Sequence, residues 1–309
     1  MSELQLTAPS VSVVIPTRGR PELLQLAVES VLGQRYAGDV ECIVVYDRSK
    51  PDIESESLGP NRRVTVITNT RTPGAAGARN SAVVSAKGDL IAFCDDDDVW
   101  LPTKLDVQTA ALLAAPDAIA AGSGYIGDTD GRLIVRMPPG TELSSRDLLR
   151  SRVADLHPST LVAWRGRVAE QVGLIDENVP GSYGEDYDWL LRMASRARIL
   201  TVPQPLVRVL WHGGSYFDGD FEVIIQAIRY LLEKHPEFAT EPVGLARLYG
   251  RLAFAHAALG ARAEAARLAL RAARLNPRER RAYVALAVSA GVLRASTVSQ
   301  MATAAGRRL

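Results

Sequence analysis

Short runs of β-branched and aliphatic residues alternate along the first hundred positions with stretches of helical periodicity. This alternation limits the fold more than any other feature. Residues 11–16, VSVVIP, suit a buried strand. After TRGRP, the residues Leu24, Ala27, Val28, Val31 and Leu32 recur at i, i+3, i+4, i+7 and i+8, which predicts an amphipathic helix. VECIVVYD (40–47) reads as a second strand, with Asp47 where the chain leaves its apolar register, and RVTVIT (63–68) as a third. Small residues from Ala75 to Ala86 predict a close-packing helix, and DLIAFC (89–94) a further strand. Strands that alternate with helices predict an α/β fold around a parallel sheet.

Open parallel sheets bind ligands beyond the carboxyl ends of their strands, where loop donors and helix N-termini converge. Asp47 and the run FCDDDDVWLP (93–102) both fall on that edge. Adjacent carboxylates repel by roughly 1 kcal/mol per pair in water, and by several-fold more at low dielectric. Four of them behind a buried strand therefore point to a site that receives a cation. A hard divalent ion prefers carboxylate oxygens and shares its shell with substrate phosphates. Four consecutive acids cannot all face one ion; the helical pattern over 103–110 assigns Asp98 to the helix start. A dinucleotide-binding Rossmann fold is disfavoured, because PTRGRP after the first strand has one glycine and two prolines, and PGAAGARN comes much later.

The region from about 115 to 215 mixes strand-like, helical and turn residues. Within it, GEDYDWLLRMA (184–194) starts a helix whose apolar stripe is Tyr187, Leu190, Leu191 and Ala194. Beyond about residue 220 the pattern is helical throughout. Tyr249, Leu252, Ala253, Gly260, Ala265, Ala272 and Pro277 match the spacing of one tetratricopeptide-type unit, a helical appendage that needs a neighbour to cover it.

The net charge of +1 conceals two opposed parts: residues 245–309 carry twelve arginines against Glu264 and Glu279, about +10, and the remainder carries about −9. Arg267, Arg271 and Arg274 share a helix face, with Arg278 and Arg281 beyond. That face suits packing or self-association, or contact with an anionic membrane. Nucleic acid is disfavoured, since the tail's aromatics are limited to Tyr249, Phe254 and Tyr283. No apolar stretch is long enough to span a bilayer, and the N-terminus lacks the pattern of a secretory signal. Cys42 and Cys94 lie in apolar strand runs, as reduced core residues would, so a cytoplasmic location is expected, with contact at the inner membrane face allowed.

Four segments, in order, carry a resemblance over residues 11–213 to family 2 glycosyltransferases. They are VSVVIPTRGRPELLQLAVESVLGQ, ECIVVYDRS, GAAGARNSAVVSAKGDLIAFCDDDDVWLP and GEDYDWLLRMA. The resemblance implies a GT-A fold: a Rossmann-like, mixed but mostly parallel sheet flanked by helices, here with a C-terminal α-helical extension. The expected organisation is a catalytic domain over 1–218, with a nucleotide half (about 10–115) and an acceptor half (about 116–218), followed by a basic helical extension over 219–309.

The implied activity is inverting transfer of a sugar from a nucleoside diphosphate, UDP first and dTDP second, to an acceptor hydroxyl. The acceptor would be a glycan, a lipid-linked saccharide or a small molecule, and Mn²⁺ or Mg²⁺ the cofactor. Carried over by residue, Pro16, Thr17, Asp47, Arg79, Asp95 and Asp96 would contact the nucleotide sugar. Asp97 would hold the metal in a DXD-type motif, with His212 completing its shell. Asp186 would be the general base, and Glu185 and His157 would face the acceptor, while His235 and His256 are expected to be structural. The chain departs from the pattern at Arg18 and Gly19, where an aromatic residue and Asn are usual, at Tyr46 in place of a second Asp, and at Arg48 in place of Gly. The competing reading is a catalytically silent nucleotide-sugar-binding or scaffold protein whose helical tail mediates association.

Overall fold

The computed structural model describes residues 8–129, 131–151, 156–210 and 220–304. Eleven strands are seen among the described residues: β1 (Val11–Thr17), β2 (Val40–Tyr46), β3 (Glu56–Ser57), β4 (Arg62–Thr68), β5 (Leu90–Phe93), β6 (Asp98–Trp100), β7 (Ala118–Thr129), β8 (Arg132–Arg136), β9 (Glu142–Leu143), β10 (Val162–Trp164) and β11 (Arg198–Leu210). The helices are α1 (Pro21–Leu32), α2 (Ala75–Ser85), α3 (Lys104–Ala114), α4 (Ser145–Arg150), α5 (Arg165–Gln171), α6 (Glu185–Ala194), α7 (Phe221–Lys234), α8 (Pro242–Ala258), α9 (Arg262–Leu275), α10 (Arg280–Ser289) and α11 (Ala295–Ala304).

One mixed sheet runs in the order β3-β4-β2-β1-β5-β10-β7-β11-β6, with β8 on β7 and β9 on β11. Its longest ladders are parallel: β1 with β2, β2 with β4, and β7 with β11. The alternation of segments predicts a parallel sheet; the sheet is the mixed, mostly parallel one that the family resemblance implies. β1 and β2 are covered on both faces, which is why their sequences are nearly continuous apolar runs. The polar exceptions are paired: buried Ser12 donates to Glu41 Oε2 at 2.9 Å, and Arg63 donates to Glu41 Oε1 at 3.1 Å. Helix α1 starts with Pro21 at its first position and buries Leu24, Ala27, Val28 and Val31 of the expected stripe, with Leu32 half-buried at its end.

The region that reads as irregular contains the two longest strands. β7 is AIAAGSGYIGDT, and its alanines and glycines have weak strand preference, yet the strand is almost wholly buried. β11 holds Pro203 and Pro205, and its ladder with β7 shifts register on either side of Pro205. A residue without an N–H is tolerated where the ladder is already interrupted.

The chain divides into two compact units. The sheet and its helices form the first, comprising residues 1–144, 153–177 and 185–210. The second comprises residues 145–152, 178–184 and 211–309, so two short segments that precede the helical tail in sequence belong to its unit. In that unit α8 and α9 pack on each other, and α10 packs on both. Alanines at 253, 257, 265, 269 and 272 are buried, which lets the helices approach closely. Phe221 meets Phe254 edge to face at 5.9 Å, and the Arg271 guanidinium lies 4.3 Å from the Tyr249 ring centroid. Among the described residues no helix is long and apolar enough to cross a membrane.

Candidate active site

The parallel strands deliver Thr17, Asp47 and the acidic run to one edge of the sheet. Pro16 and Thr17 end β1, and the Asp47 amide donates to the Thr17 carbonyl at 2.9 Å, so the ends of β1 and β2 are joined. Asp47 is buried and accepts from Asn69 Nδ2 at 2.7 Å and from the Gly74 amide at 3.1 Å. It therefore also anchors the loop that leads into α2. The next residue, Arg48, takes a left-handed conformation with φ of 51°, a backbone that glycine adopts without strain.

Each acid of the run has its own environment. Asp95 accepts from Arg79 Nη2 at 2.7 Å, and its amide donates to Ser159 Oγ at 3.0 Å. Asp96 accepts from Thr17 Oγ1 at 2.8 Å and from Arg20 Nη1 at 3.3 Å. Asp97 accepts from the same Arg20 Nη1 at 2.6 Å. Asp98 is the first residue of β6 and is 1% exposed, and α3 begins only at Lys104. The expectation that Asp98 starts the helix is thus corrected. The chain makes a turn, Asp98 N to Asp95 O at 3.0 Å, and enters a short strand paired with β11, which carries the carboxylate inward. There its Oδ2 accepts from Ser159 Oγ and lies 3.1 Å from His157 Nδ1.

These environments separate the acids electrostatically. Burial pushes Asp95 upward, but Arg79 and then His157 outweigh it and hold the carboxyl below its usual value. Burial raises Asp96 against the opposing Thr17 hydrogen bond and Arg20. Asp97 is pushed up to about 6, first by burial and then by Asp95, Asp98 and Asp96, with Arg20 offsetting only part of this. Asp97 is the acid of the run most in need of further positive charge.

Arg79 is fully enclosed. Its Nη1 donates to Glu185 Oε1 at 2.6 Å while Nη2 holds Asp95, and the two carboxylates raise its pKa against the effect of burial. Glu185, expected at the acceptor, is itself buried against this guanidinium. Asp186 follows it in the first turn of α6, and its Oδ1 accepts from the Tyr187 amide at 2.8 Å. Asp186 lines a cavity with Arg79, Phe93, His157, Ile175 and Trp189. Asp188 turns the other way and accepts from Arg192 Nε at 2.9 Å. His157 thus stands between the acidic run and the cavity, with Nε2 3.8 Å from Asp95 Oδ2. His212 lies outside the described residues.

One ligand atom each from Asp95, Asp98 and His157 lie within 4.8 Å of one another, and Asp98 Oδ1 is buried without a hydrogen-bond partner among the described residues. Hard carboxylate oxygens, one of them unsatisfied, beside the Asp97 carboxylate form a donor set that fits a divalent ion. Sequence reasoning missed Arg20 and Ser159 as members of this cluster. Arg20 sits in an unremarkable basic turn, and Ser159 reaches the run from 61 or more residues away, so neither leaves a local signal.

A model of glycosyl transferase family 2 matches residues 12–164. An Escherichia coli protein, UDP-Glc:alpha-D-GlcNAc-diphosphoundecaprenol beta-1,3-glucosyltransferase WfaP, is 38% identical over 222 residues, covering 70% of this chain and 83% of its own length. A second E. coli protein described by the same activity, WfgD, is 36% identical over 104 residues, which span 33% of this chain and 41% of WfgD. Among solved structures, the mannosyltransferase PcManGT from Pyrobaculum calidifontis, in complex with GDP-Man and Mn²⁺, is similar with a TM-score of 0.54 and 20% identity, covering 96% of this chain and 88% of its own. The α/β unit has the GT-A fold, and the acidic run lies within the residues that the family model matches. The chain belongs to glycosyl transferase family 2.

Proposed function

We propose that the protein is a metal-dependent, inverting glycosyltransferase that moves a sugar from UDP to an acceptor hydroxyl, with Asp186 as general base. The observation that carries this reading is the shared cavity, where Asp186 lies beside Arg79, whose other face holds Asp95 of the acidic run. A base and a diphosphate-facing acidic cluster are thereby joined through one guanidinium. WfaP and WfgD, by their descriptions, use UDP-Glc and an acceptor on diphosphoundecaprenol, so a lipid-linked saccharide acceptor is the favoured class.

The helix N-terminus of α6 favours the ionised form of Asp186 by roughly 0.3–1 kcal/mol, and the Tyr187 amide fixes the direction of one oxygen. Asp186 takes the proton of the acceptor hydroxyl as that oxygen attacks the anomeric carbon. The new C–O bond forms opposite the bond to the diphosphate, which breaks in the same displacement, so the configuration inverts and no covalent enzyme intermediate forms. Asp95, Asp98 and His157, with Asp97 beside them, would hold a divalent ion, which would supply positive charge to the departing diphosphate. Asp47, Thr17 and Pro16 receive the nucleoside, and Arg79 keeps Asp95 ionised and α6 in place.

Transfer from a UDP-sugar panel to polyprenyl-diphosphate saccharides, with Mn²⁺ or EDTA, tests the reading. Asp186→Asn is expected to keep UDP-dependent thermal stabilisation and to lose at least about a hundredfold in transfer. Full transfer by that variant would remove Asp186 from the role of base.

A further inference from the structure

The acidic run already has two internal counter-cations, and they differ in kind. Arg79 is 5% exposed and clamped between two carboxylates, so it cannot leave without stranding Glu185 in the core. Arg20 has a side chain 44% exposed and reaches Asp96 and Asp97 from the turn before α1. Gly19, immediately before it, is left-handed with φ of +69° and open space around it. The guanidinium on Asp97 Oδ2 lies where a dication at that carboxylate would meet strong like-charge repulsion. Arg20 is also the N-cap residue of α1, at the positive end of that helix, where an anionic diphosphate is favoured.

We infer that Arg20 exchanges partners during donor binding: it holds Asp96 and Asp97 until a divalent ion takes over the Asp97 carboxylate, and then pairs with the donor diphosphate. The inference rests on the proposed function. It gives the bond from the Thr17 hydroxyl to Asp96 a purpose: that hydroxyl keeps the Asp96 carboxylate oriented once the guanidinium has moved. It also gives Arg20 opposite effects on two ligands. Removing it relieves competition with the ion and at the same time takes a charge-assisted donor from the diphosphate.

Calorimetric titration of the full chain with Mn²⁺ alone, and with UDP in saturating Mn²⁺, tests this on wild type, Arg20→Ala and Arg20→Lys. The Ala variant is expected to bind Mn²⁺ alone about tenfold more tightly and UDP about tenfold more weakly, and Lys, a point charge without the planar fork, to fall between. Unchanged or weaker Mn²⁺ binding by the Ala variant, or unchanged UDP binding, overturns the exchange. If wild type and both variants bind neither Mn²⁺ nor UDP, the proposed function itself fails and the exchange falls with it. If wild type binds both ligands and the Ala variant matches it, only the exchange fails.

Discussion

Arg79 and Glu185, 106 residues apart, form a buried ion pair, Nη1 to Oε1 at 2.6 Å, that joins α2 to the first turn of α6. The pair fixes the helix end that carries Asp186, while the second arm of the same guanidinium holds Asp95. The ARN segment and the ED segment, separate motifs in the chain, are therefore one structural unit.

Arg79→Met leaves two carboxylates facing a buried apolar side chain. The expected loss is about 3–5 kcal/mol in denaturant unfolding. The double variant Arg79→Met with Glu185→Gln should recover part of that stability without recovering transfer. A double variant no more stable than the single one argues against the pair as the source of the loss.

Lys104 is fully buried, donates from Nζ to Gln108 Oε1 at 2.7 Å and lies 4.1 Å from the Trp100 ring centroid. Burial lowers its pKa from 10.5 to about 7. Between those values the unfolded chain holds a proton that the folded chain releases, so this group makes stability rise with pH, by up to about 1.4 kcal/mol per unit. Urea midpoints should rise from pH 7 to pH 9 in wild type relative to Lys104→Met, in which the trend is flattened.

Asp97, pushed up to about 6, has the opposite sign. The folded state retains its proton between the ordinary carboxylate range and pH 6, so its contribution to stability is present in acid and is lost as pH rises through 6. Asp97→Asn should stabilise the ligand-free protein at pH 7.5 by about 1–3 kcal/mol. Mn²⁺ binding to wild type should weaken below pH 6, where the ion must displace that proton, and a pH-independent affinity would contradict this.

Gly77, in α2, has no room for a side chain: a Cβ there would overlap the Thr72 carbonyl oxygen. Gly77→Ala must push away the loop that Asp47 and Asn69 tie down. A loss of about 1–3 kcal/mol is expected, with weaker UDP binding, measured by thermal unfolding with and without nucleotide.

The parallel strands and α1 were legible because burial on both faces demands continuous apolar runs and burial on one helix face demands a stripe, both local patterns. β7 and β11 were not, because alanines, glycines and prolines do not declare a strand. Their neighbours in space do, by covering both faces of β7 and by supplying ladder partners around the interruptions at Pro205.

The acidic run shows in the sequence as a contiguous block of charge behind a strand, and Asp186 is singled out by the resemblance of its segment to the family. The electrostatic division of the run does not show there. Asp95 is paired with Arg79, Asp97 is left to share Arg20 with Asp96, and Asp98 is drawn inward to Ser159 and His157. A carboxylate's charge state depends on desolvation and on cations within a few ångströms, and for the acidic run those are supplied by segments up to 77 residues distant. Local sequence thus decides which acids stand at the sheet edge, and only the tertiary contacts decide which of them still needs a counter-charge.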